Sequence, residues 1–267
     1  MSSLPDPKQL LVVEDDSALR EWLRLELRPH LLTMAAHQEA AYAELEARRF
    51  DLVLLDLRLP VSARDIEPHS DVGFDILRSI RQQYTRDRLP VVVMTAYEGT
   101  TSETTVRAFK WGANDYWSKD GRHSRTLPEV VEGNLRQQAE RRERFAKELS
   151  ERRHRLHFHL ARCCAVLDDF VTFQGKPYGV LAALRRNHSE GVKSGKEPPF
   201  MRLSTLTKTL DTGQDPVRKL VERIRKDIAA SYLEAHGVAP DKNAVIESVQ
   251  GKGYRLNPTK VEVAVVR

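Results

Sequence analysis

The sequence predicts an α/β protein in which a doubly wound, five-stranded parallel sheet is followed by a long connecting helix and a smaller C-terminal α+β domain. Short apolar runs at residues 10–13, 52–55 and 90–94 are too short for helices and are typical of strands buried on both faces. Helical patterns alternate with these runs, which indicates right-handed crossovers between parallel strands. The change of charge along the chain separates the C-terminal part.

The charge divides the chain into two halves. Residues 1–122 carry 16 Lys and Arg against 20 Asp and Glu, a net charge of −4, whereas the remainder carries 27 against 18, a net charge of +9. An acidic front permits phosphate or metal chemistry, and a basic back permits a polyanionic partner. At roughly 150 residues per domain, the 267-residue chain suggests two domains.

The composition indicates a globular, cytoplasmic protein. Hydrophobic residues make up 40% and charged residues 30%, and no apolar run approaches the roughly 20 residues that span a bilayer. The first residues lack a basic start followed by an apolar stretch, so we expect neither export nor a membrane partner. Cys163 and Cys164 form no disulfide framework and are expected to fill an apolar helix face.

The elements of the front half are predicted in chain order. Its helices are expected at residues 17–28, with Asp16 or Ser17 as the N-cap, then at 40–49, at 72–83 and in a segment that ends at Trp111. Its strands are expected at residues 10–13, 32–37, 52–55, 90–94 and 115–118. Polar residues follow several of these strands, which places them at one edge of the predicted sheet.

Carboxylates follow two of the predicted strands. Glu14 and Asp15 come after the first strand and Asp56 after the third. Three clustered acids need a cation, and hard oxygen ligands suit Mg²⁺. Asp56 would attack a phosphoryl group to give an acyl phosphate, with Lys119 and the Thr95 hydroxyl as partners for the phosphoryl oxygens. The structural alternatives are an aspartate that begins a loop, a salt-bridging lysine and a threonine bonded to its own backbone.

The front half resembles the receiver domain of bacterial two-component response regulators. The resemblance rests on VVEDD, LLDLRLP, VMTA and GANDYWSK, in that order over about residues 8–122. It implies a flavodoxin-like receiver at residues 1–123 that a histidine kinase phosphorylates on Asp56. It also implies that Mg²⁺ is held by Glu14, Asp15, Asp56 and the backbone carbonyl of Arg58, with Lys119 beside the phosphoryl group. Thr95 and Tyr116 match the switch pair, in which the hydroxyl moves to the phosphoryl group and the ring follows it inward.

The sequence departs from the receiver pattern at two places. Residues 61–72 form a longer segment than the usual turn beside the acceptor, and this segment is expected to affect kinase docking or the lifetime of the phosphoryl group. Asp120 follows Lys119 where the family has a proline that helps to set a cis peptide, so we expect a trans peptide there.

Residues 124–167 are predicted to extend the last helix of the front half into a linker. Within residues 127–168 no glycine follows Gly133 and no proline follows Pro128. A half-apolar heptad seam predicts a dimeric coiled coil, and the alternative is a helix packed on its own domains. The seam consists of Val131, Leu135, Phe145, Leu149, Leu156, Cys163 and Val166. The nearby His154, His157 and His159 are expected to be solvated surface rather than a metal site.

The back half, residues 168–267, is predicted to hold a strand with a turn, three helices and a hairpin closed by glycines. The third helix, from Val217, buries one apolar face. Its other face carries the basic residues Arg218, Lys219, Arg223, Arg225 and Lys226. A basic helix followed by a basic hairpin predicts a helix for the DNA major groove and a wing for the adjacent backbone or minor groove. The alternative is a solvated basic face.

This half resembles the OmpR/PhoB-type winged-helix output domain. VERIRKDI matches the recognition helix of that family and SVQGKGYRL matches its wing. The resemblance implies double-stranded DNA as the partner, with Arg223 and Arg225 at the DNA face and Lys252 and Arg255 in the wing. Glu222 stands where the family commonly has a basic residue, and it is expected to tune specificity or to weaken the DNA contact.

Together these features predict a phosphorylation-dependent, DNA-binding transcriptional response regulator that acts as a homodimer and is not an enzyme. One alternative is a phosphorylation-independent receiver that serves as a dimerisation platform. Another is an output domain that binds protein or RNA instead of DNA. A Mg²⁺ phosphohydrolase is the weakest alternative, because no separate general base is visible in the sequence.

Overall fold

The protein is described by a computed structural model that covers residues 6–65, 67–69, 71–95, 101–119 and 125–266. The side chains of Thr95, Thr101 and Ser102 are outside this description. The chain divides into two compact units, Met1–Glu143 and Arg144–Arg267.

The N-terminal unit is a five-stranded parallel sheet, as the sequence predicts, and its strands lie in the order β2-β1-β3-β4-β5. Its strands are β1 (Gln9–Val13), β2 (Leu31–Ala35), β3 (Leu52–Asp56), β4 (Val91–Thr95) and β5 (Asp115–Ser118). The helices between and after them are α1 (Ser17–Glu26), α2 (Gln38–Ala47), α3 (Val72–Gln83), α4 (Thr101–Trp111) and α5 (Leu127–Glu151). This is the flavodoxin-like arrangement.

Helices cover both faces of this sheet because the apolar strands present side chains to both sides. Leu10 and Val12 of β1 pack with residues of α1 and α5, whereas Leu11 and Val13 pack with residues of α2, α3 and α4. All five residues of β3 are buried. Burying each such side chain stabilises the fold by roughly 1.5–3 kcal/mol, so the strand ends lie on a rigid support.

Helix α5 ends at Glu151, so the predicted continuation of the helix to about residue 168 is wrong. Residues that follow form β6 (His154–His159) and β7 (Cys164–Leu167). Burial alternates along β6, with His154, Leu156 and Phe158 buried, which is the two-residue period of a strand. The high helix propensity of the composition is overridden here by pairing with β7 and with the distant β11 (Val261–Val266).

The predicted dimer seam is occupied within the chain itself. Val131 and Leu135 are buried in the core of the N-terminal unit, and Leu149 is buried in that of the C-terminal unit. Leu156 and Val166 lie in strands, and Cys163 lies in the turn between them with a φ of 47°. A coiled coil along this seam is therefore contradicted by the structure.

The C-terminal unit combines a four-stranded sheet, three helices and a separate hairpin. The sheet has the order β11-β6-β7-β8, and β11 is parallel to β6 whereas the other pairs are antiparallel. The remaining elements are β8 (Val171–Gln174), α6 (Gly175–Lys193), α7 (Leu203–Thr209), α8 (Gln214–His236), β9 (Ile246–Val249) and β10 (Gly253–Leu256). The C-terminal strand β11 lies at one edge of the four-stranded sheet.

A buried polar cluster joins the end of α5, the β7–β8 turn and α8 within the C-terminal unit. Asp168 Oδ2 lies 2.8 Å from an Arg152 nitrogen and 2.7 Å from His154 Nδ1, and it accepts a hydrogen bond from the Tyr232 hydroxyl. His154 is fully buried, so the prediction of a solvated histidine is wrong. Its Nδ1 has polar partners in Asp168 and the Tyr232 hydroxyl, whereas its buried Nε2 has no partner among the described residues.

Within the described residues, no helix is long and apolar enough to cross a membrane.

Candidate functional site

The predicted acids meet at the carboxyl edge of the parallel sheet. Val13 of β1 pairs with Leu55 of β3, so the residues that follow them, Glu14 and Asp56, lie at the same level of neighbouring strands. Glu14, Asp15 and Asp56 each offer a carboxylate oxygen, and these oxygens all lie within 4.8 Å of one another. Glu14 is fully buried and Asp56 is 6% exposed. The structure therefore brings together the three acids that the sequence singled out.

Lys119, directly after β5, lies between two of these acids. Its Nζ is 2.6 Å from Asp56 Oδ2 and 2.7 Å from Glu14 Oε2. Burial lowers the pKa of Lys119, but the carboxylates of Asp56 and Glu14 together raise it above its usual value. The lysine is thus held in its charged form beside the predicted phosphoacceptor.

The acids themselves are held in an environment that opposes their charge. Burial, followed by repulsion from Asp56, raises the pKa of Glu14 to about 7, although Lys119 opposes the rise. Burial also raises the pKa of Asp56 above its usual value, again against the effect of Lys119. One ammonium group does not fully compensate two buried carboxylates and a third beside them. A divalent cation with oxygen ligands would do so, and the donor set therefore fits Mg²⁺.

The structure describes the remaining predicted residues of this site only in part. The Arg58 backbone N–H donates to Asp56 Oδ1 at 3.2 Å, and the role of its carbonyl as a metal ligand stays a prediction. Thr95 ends β4, but its hydroxyl is outside the described residues, as is Asp120. The Tyr116 ring is 40% exposed and makes an edge contact with Phe109 at 6.2 Å. The inward movement of this ring that the receiver resemblance implies stays a prediction.

Gly73 is a structural requirement of the site that the sequence reasoning missed. A Cβ atom at this position would lie 2.4 Å from the Asp56 carbonyl oxygen and 2.5 Å from Leu57 Cα. The Gly73 N–H donates to the Leu57 carbonyl at 3.1 Å, so the first turn of α3 packs directly on the acceptor loop. The available signal was an isolated glycine at the start of a helical pattern, which marks close backbone approach.

The long segment after the acceptor strand folds back on the N-terminal unit. Leu59 and His69 form an isolated antiparallel bridge that closes it. The carbonyls of Pro60 and Val61 accept from the N–H groups of Gln38 and Glu39 at the start of α2, at 3.1 Å each. Residues 66 and 70 are outside the description. The predicted effect of this segment on docking or phosphoryl lifetime stays a prediction.

The second predicted surface lies on α8 and the hairpin. The side chains of Arg218, Lys219, Arg223 and Lys226 on α8 are exposed, as is that of Lys252 in the hairpin turn. A groove between α7, α8 and the hairpin is lined by Arg202, Arg218 and Lys252 together with Ser204 and Gln214. Arg202 was missed by the sequence reasoning, because the chain folds it beside the hairpin from a region with no recognisable motif.

Backbone contacts place Arg202 beside the hairpin. The Met201 N–H donates to the Tyr254 carbonyl at 2.7 Å, and the Tyr254 N–H donates to the Met201 carbonyl at 3.0 Å. Gly253, with a φ of 113°, permits this approach, since a Cβ there would lie 2.1 Å from the Met201 carbonyl oxygen. Gly253, the second glycine of the GKGY sequence, is thus needed for the contact between the hairpin and the start of α7.

Two of the predicted DNA-contacting arginines are structural instead. The terminal nitrogens of the buried Arg225 donate to Glu222, Asn243, Ser248 and the Ile246 carbonyl. The Arg255 side chain is 11% exposed. Its ion pairs with Glu197 and Glu247 are both 2.8 Å long, and it lies over the Phe200 ring. Their positions at the predicted DNA face are therefore corrected: both tie the hairpin to its neighbours.

Comparison with known proteins places the N-terminal unit in a defined class. The family described as response regulator receiver domain matches residues 10–131. The transcriptional regulatory protein AfsQ1 of Streptomyces coelicolor is 35% identical over 109 residues, which are 40% of this chain and 42% of that protein. The solved structure of a CheY-like receiver domain protein from Methanospirillum hungatei is also similar. The match covers 51% of this chain and 98% of that protein, at 25% identity and a TM-score of 0.41.

One relative extends the similarity along nearly the whole chain. The transcriptional activator protein PfeR of Pseudomonas aeruginosa is 30% identical over 281 residues, which cover 97% of this chain and 75% of PfeR. The chain therefore belongs to the response regulators of two-component systems, and its relatives AfsQ1 and PfeR are transcriptional regulators. The matched region spans less than half of AfsQ1.

Proposed function

We propose that this protein is a transcriptional response regulator that a histidine kinase phosphorylates on Asp56 and that binds double-stranded DNA in a phosphorylation-dependent manner. The observation that carries the proposal is the group of Glu14, Asp15 and Asp56 around the Lys119 ammonium. It is supported by membership of the response regulator family and by relatives that regulate transcription.

The chemistry follows from the position of each group. An Asp56 carboxylate oxygen attacks the phosphorus of a phosphohistidine, the P–N bond breaks, and an aspartyl phosphate forms. Mg²⁺, when bound by Glu14, Asp15, Asp56 and the Arg58 carbonyl, would shield the repulsion between the carboxylate and the phosphoryl group. Lys119 exchanges its carboxylate contact for a phosphoryl oxygen. The positive charge of Lys119 therefore stabilises the Asp56 carboxylate before the reaction and the aspartyl phosphate after it.

The switch is proposed for Thr95 and Tyr116. The Thr95 hydroxyl would donate to a phosphoryl oxygen, and the exposed Tyr116 ring would then move inward. This movement would change the surface formed by α4 and β5. Phosphorylation would then shift the population toward a DNA-binding homodimer. The receiver would thus act on DNA binding through this equilibrium and not through a direct contact with DNA. Since most of the predicted helix seam is buried within the chain itself or lies in strands, the proposed dimer would use another surface.

The C-terminal unit is proposed to act as a winged helix. Helix α8 would enter the major groove, and the β9–β10 hairpin would serve as the wing on the adjacent backbone. The exposed cations Arg218, Lys219, Arg223, Lys226 and Lys252 would contact phosphates or bases. Arg202 joins this set because it lines the same groove as Arg218 and Lys252.

Phosphorylation with acetyl phosphate and Mg²⁺ tests the first half of the proposal. We expect the wild type and Asp75→Asn to form a phosphoprotein that hydroxylamine cleaves, as it does an acyl phosphate, and Asp56→Asn to form none. Asp75 is a suitable control because its exposed carboxylate on α3 makes a loose 3.5 Å pair with Arg78. Full phosphorylation of Asp56→Asn would contradict the proposal.

Binding to a pool of genomic duplex fragments at two salt concentrations tests the second half. We expect tighter, sequence-selective binding after phosphorylation that weakens as salt rises. Selective binding that is indifferent to phosphorylation would favour the dimerisation-platform alternative. If neither form binds duplex, a protein or RNA partner replaces DNA.

A further inference from the structure

Arg20, on the second turn of α1, reaches back to the loop that carries two of the predicted metal ligands. One of its terminal nitrogens, Nη1, donates to the Glu14 carbonyl at 2.6 Å and to the Asp15 carbonyl at 2.8 Å. A single cationic nitrogen thus holds two consecutive peptide carbonyls. Hydrogen bonds to a charged donor are shorter and stronger than those between neutral groups, so this contact is a substantial restraint on the loop.

The other bonds of the loop act on different atoms. The Asp16 N–H donates to Glu14 Oε1 at 3.2 Å. The Asp16 carboxylate caps α1 by accepting from the N–H groups of Ala18 and Leu19. These bonds hold one Glu14 oxygen and the start of the helix. The Glu14 N–H donates to the Ala35 carbonyl at 2.9 Å, which holds the end of β1. The Arg20 bonds hold the carbonyls of Glu14 and Asp15, which sets the direction in which the Asp15 side chain leaves the loop.

The loop needs such a restraint because its side chains repel their neighbours. Glu14 is fully buried, and its carboxylate lies near that of Asp56 and within the same group as that of Asp15. Without a restraint, the exposed end of the loop would relax by turning the Asp15 carboxylate toward solvent. The metal would then have to pull the ligand back on binding, which would reduce its affinity.

We propose that Arg20 is a positioning residue for the Mg²⁺ site, an inference that rests on the proposed function. It contacts no ligand atom and acts through the backbone of Glu14 and Asp15. Loss of the groups that orient metal ligands typically reduces metal affinity about 10- to 100-fold. Arg20 is therefore expected to control the Mg²⁺ concentration at which phosphorylation occurs rather than the chemistry at Asp56.

Titration with Mg²⁺, followed by Trp117 fluorescence, tests this role. Trp117 lies two residues before Lys119, and its ring stacks on Trp22 of α1 with centroids 5.9 Å apart. We expect Arg20→Met to raise the Kd for Mg²⁺ at least tenfold and Arg20→Lys, which keeps a cation with a different geometry, to raise it less. At saturating Mg²⁺ the acetyl phosphate reaction of Arg20→Met should reach the wild-type rate.

Arg24→Met is the matched control. Arg24 lies one turn further along α1, its side chain is 51% exposed, and it pairs with Glu21 at 2.7 Å. We expect the wild-type Kd for this variant. Melting in EDTA reports folding without the metal. If Arg20→Met melts early, Arg20→Lys decides, and a wild-type Kd for that variant would overturn the inference.

The outcomes separate this inference from the proposed function. If Arg20→Met is folded and its Kd for Mg²⁺ equals that of the wild type, the role of Arg20 alone is overturned. If the Kd of Arg20→Met for Mg²⁺ is unchanged but its acetyl phosphate reaction is slower at saturating Mg²⁺, the inference is also overturned. The effect of Arg20 would then lie in the chemistry at Asp56. No Mg²⁺ response in the wild type overturns the metal part of the proposed function as well.

Discussion

The two units of this protein use buried charge in opposite ways. In the N-terminal unit, Glu14 and Asp56 are buried with one shared ammonium group, and burial raises the pKa of both. In the C-terminal unit, the buried Arg225 has its terminal nitrogens bonded to four acceptors. The first arrangement has capacity left for a cation and a phosphoryl group, whereas in the second both terminal nitrogens already have their acceptors.

The comparison separates charged residues that act from charged residues that hold the fold. A buried charge that lacks compensation is costly, and proteins retain it where a ligand supplies what is missing. A buried charge with its acceptors in place is part of the structure, and removing it leaves those acceptors without a partner. The variants below test this distinction in order of decreasing effect.

Arg225→Met is expected to destabilise the C-terminal unit by about 3–5 kcal/mol. The substitution keeps much of the side-chain volume but removes the donor of Asn243, Ser248 and the Ile246 carbonyl and leaves Glu222 with Lys242 alone. Urea unfolding followed by circular dichroism measures the loss. Arg223→Met is the control, since that side chain is 70% exposed. A change below about 1 kcal/mol for Arg225→Met would make this arginine available for DNA after all.

Asp168→Asn is expected to destabilise the C-terminal unit by about 2–3 kcal/mol at pH 7. Although burial opposes it, hydrogen bonds from His154, Tyr232 and the Arg155 backbone hold the pKa of Asp168 well below its ordinary value of 3.8. A depressed carboxyl pKa stabilises the fold above the unfolded pKa, and this contribution is lost as the pH falls toward the folded pKa.

Unfolding at a series of pH values checks this prediction. The difference between wild type and Asp168→Asn should be constant above about pH 4 and shrink below it. Asp169→Asn serves as the control because Asp169 is exposed and, like Asp168, has a positive φ that asparagine tolerates. Equal effects of the two substitutions would contradict the role given to the Asp168 charge.

Glu14→Gln is expected to stabilise the N-terminal unit by about 1–2 kcal/mol at pH 8 in EDTA. Burial and Asp56 raise the pKa of Glu14 from 4.5 to about 7, so the wild-type fold is favoured below pH 4.5 and loses that contribution as the pH rises through about 7. The glutamine variant lacks this pH dependence but also lacks the pair with Lys119, which limits the gain.

Thermal melting between pH 4 and pH 8 measures this effect. Saturating Mg²⁺ should remove the advantage of the variant, because the wild-type site then has its cation. Glu21→Gln, on the exposed face of α1, should follow the wild type throughout. A Glu14→Gln protein that is less stable than wild type at pH 8 in EDTA would mean that the carboxylates of this pocket are already compensated.

Arg223→Met is expected to have the smallest effect, a loss of about 0.5–1 kcal/mol in duplex affinity with unfolding unchanged within about 0.5 kcal/mol. The slope of log K against log salt should fall by about one if the guanidinium contacts a phosphate. Arg24→Met controls for removing an exposed arginine outside the C-terminal unit. Unchanged duplex binding would disfavour the predicted DNA face of α8.

Most of the N-terminal unit was predictable from sequence because its signals are local. Apolar runs such as residues 52–55 define strands buried on both faces, and the alternation with helices defines the topology. Once the strands are parallel and adjacent, their carboxyl ends meet, so Glu14, Asp56 and Lys119 are brought together without further information. Asp16 was one of the two residues predicted to cap α1, because capping depends on neighbouring residues.

The errors arose where partners are distant in sequence. The segment at residues 154–167 has the composition of a helix, yet it forms β6 and β7 because β11, about 100 residues later, pairs with β6. Arg225 and Arg255 have the spacing of DNA-contacting residues, but their acceptors come from the hairpin and from residues 197–198.

The sequence by itself thus determined the five-stranded parallel sheet with its alternating helices, the acidic pocket with its lysine, and the basic character of the C-terminal unit, since each depends on period, length or charge within a short stretch. Only the tertiary structure decided which charges are compensated: that Arg20 holds the Glu14 and Asp15 backbone, that Gly73 lies against the acceptor loop, and that Arg225 is buried. Compensation depends on the three-dimensional proximity of groups far apart in the chain, and a linear pattern carries no information about those distances.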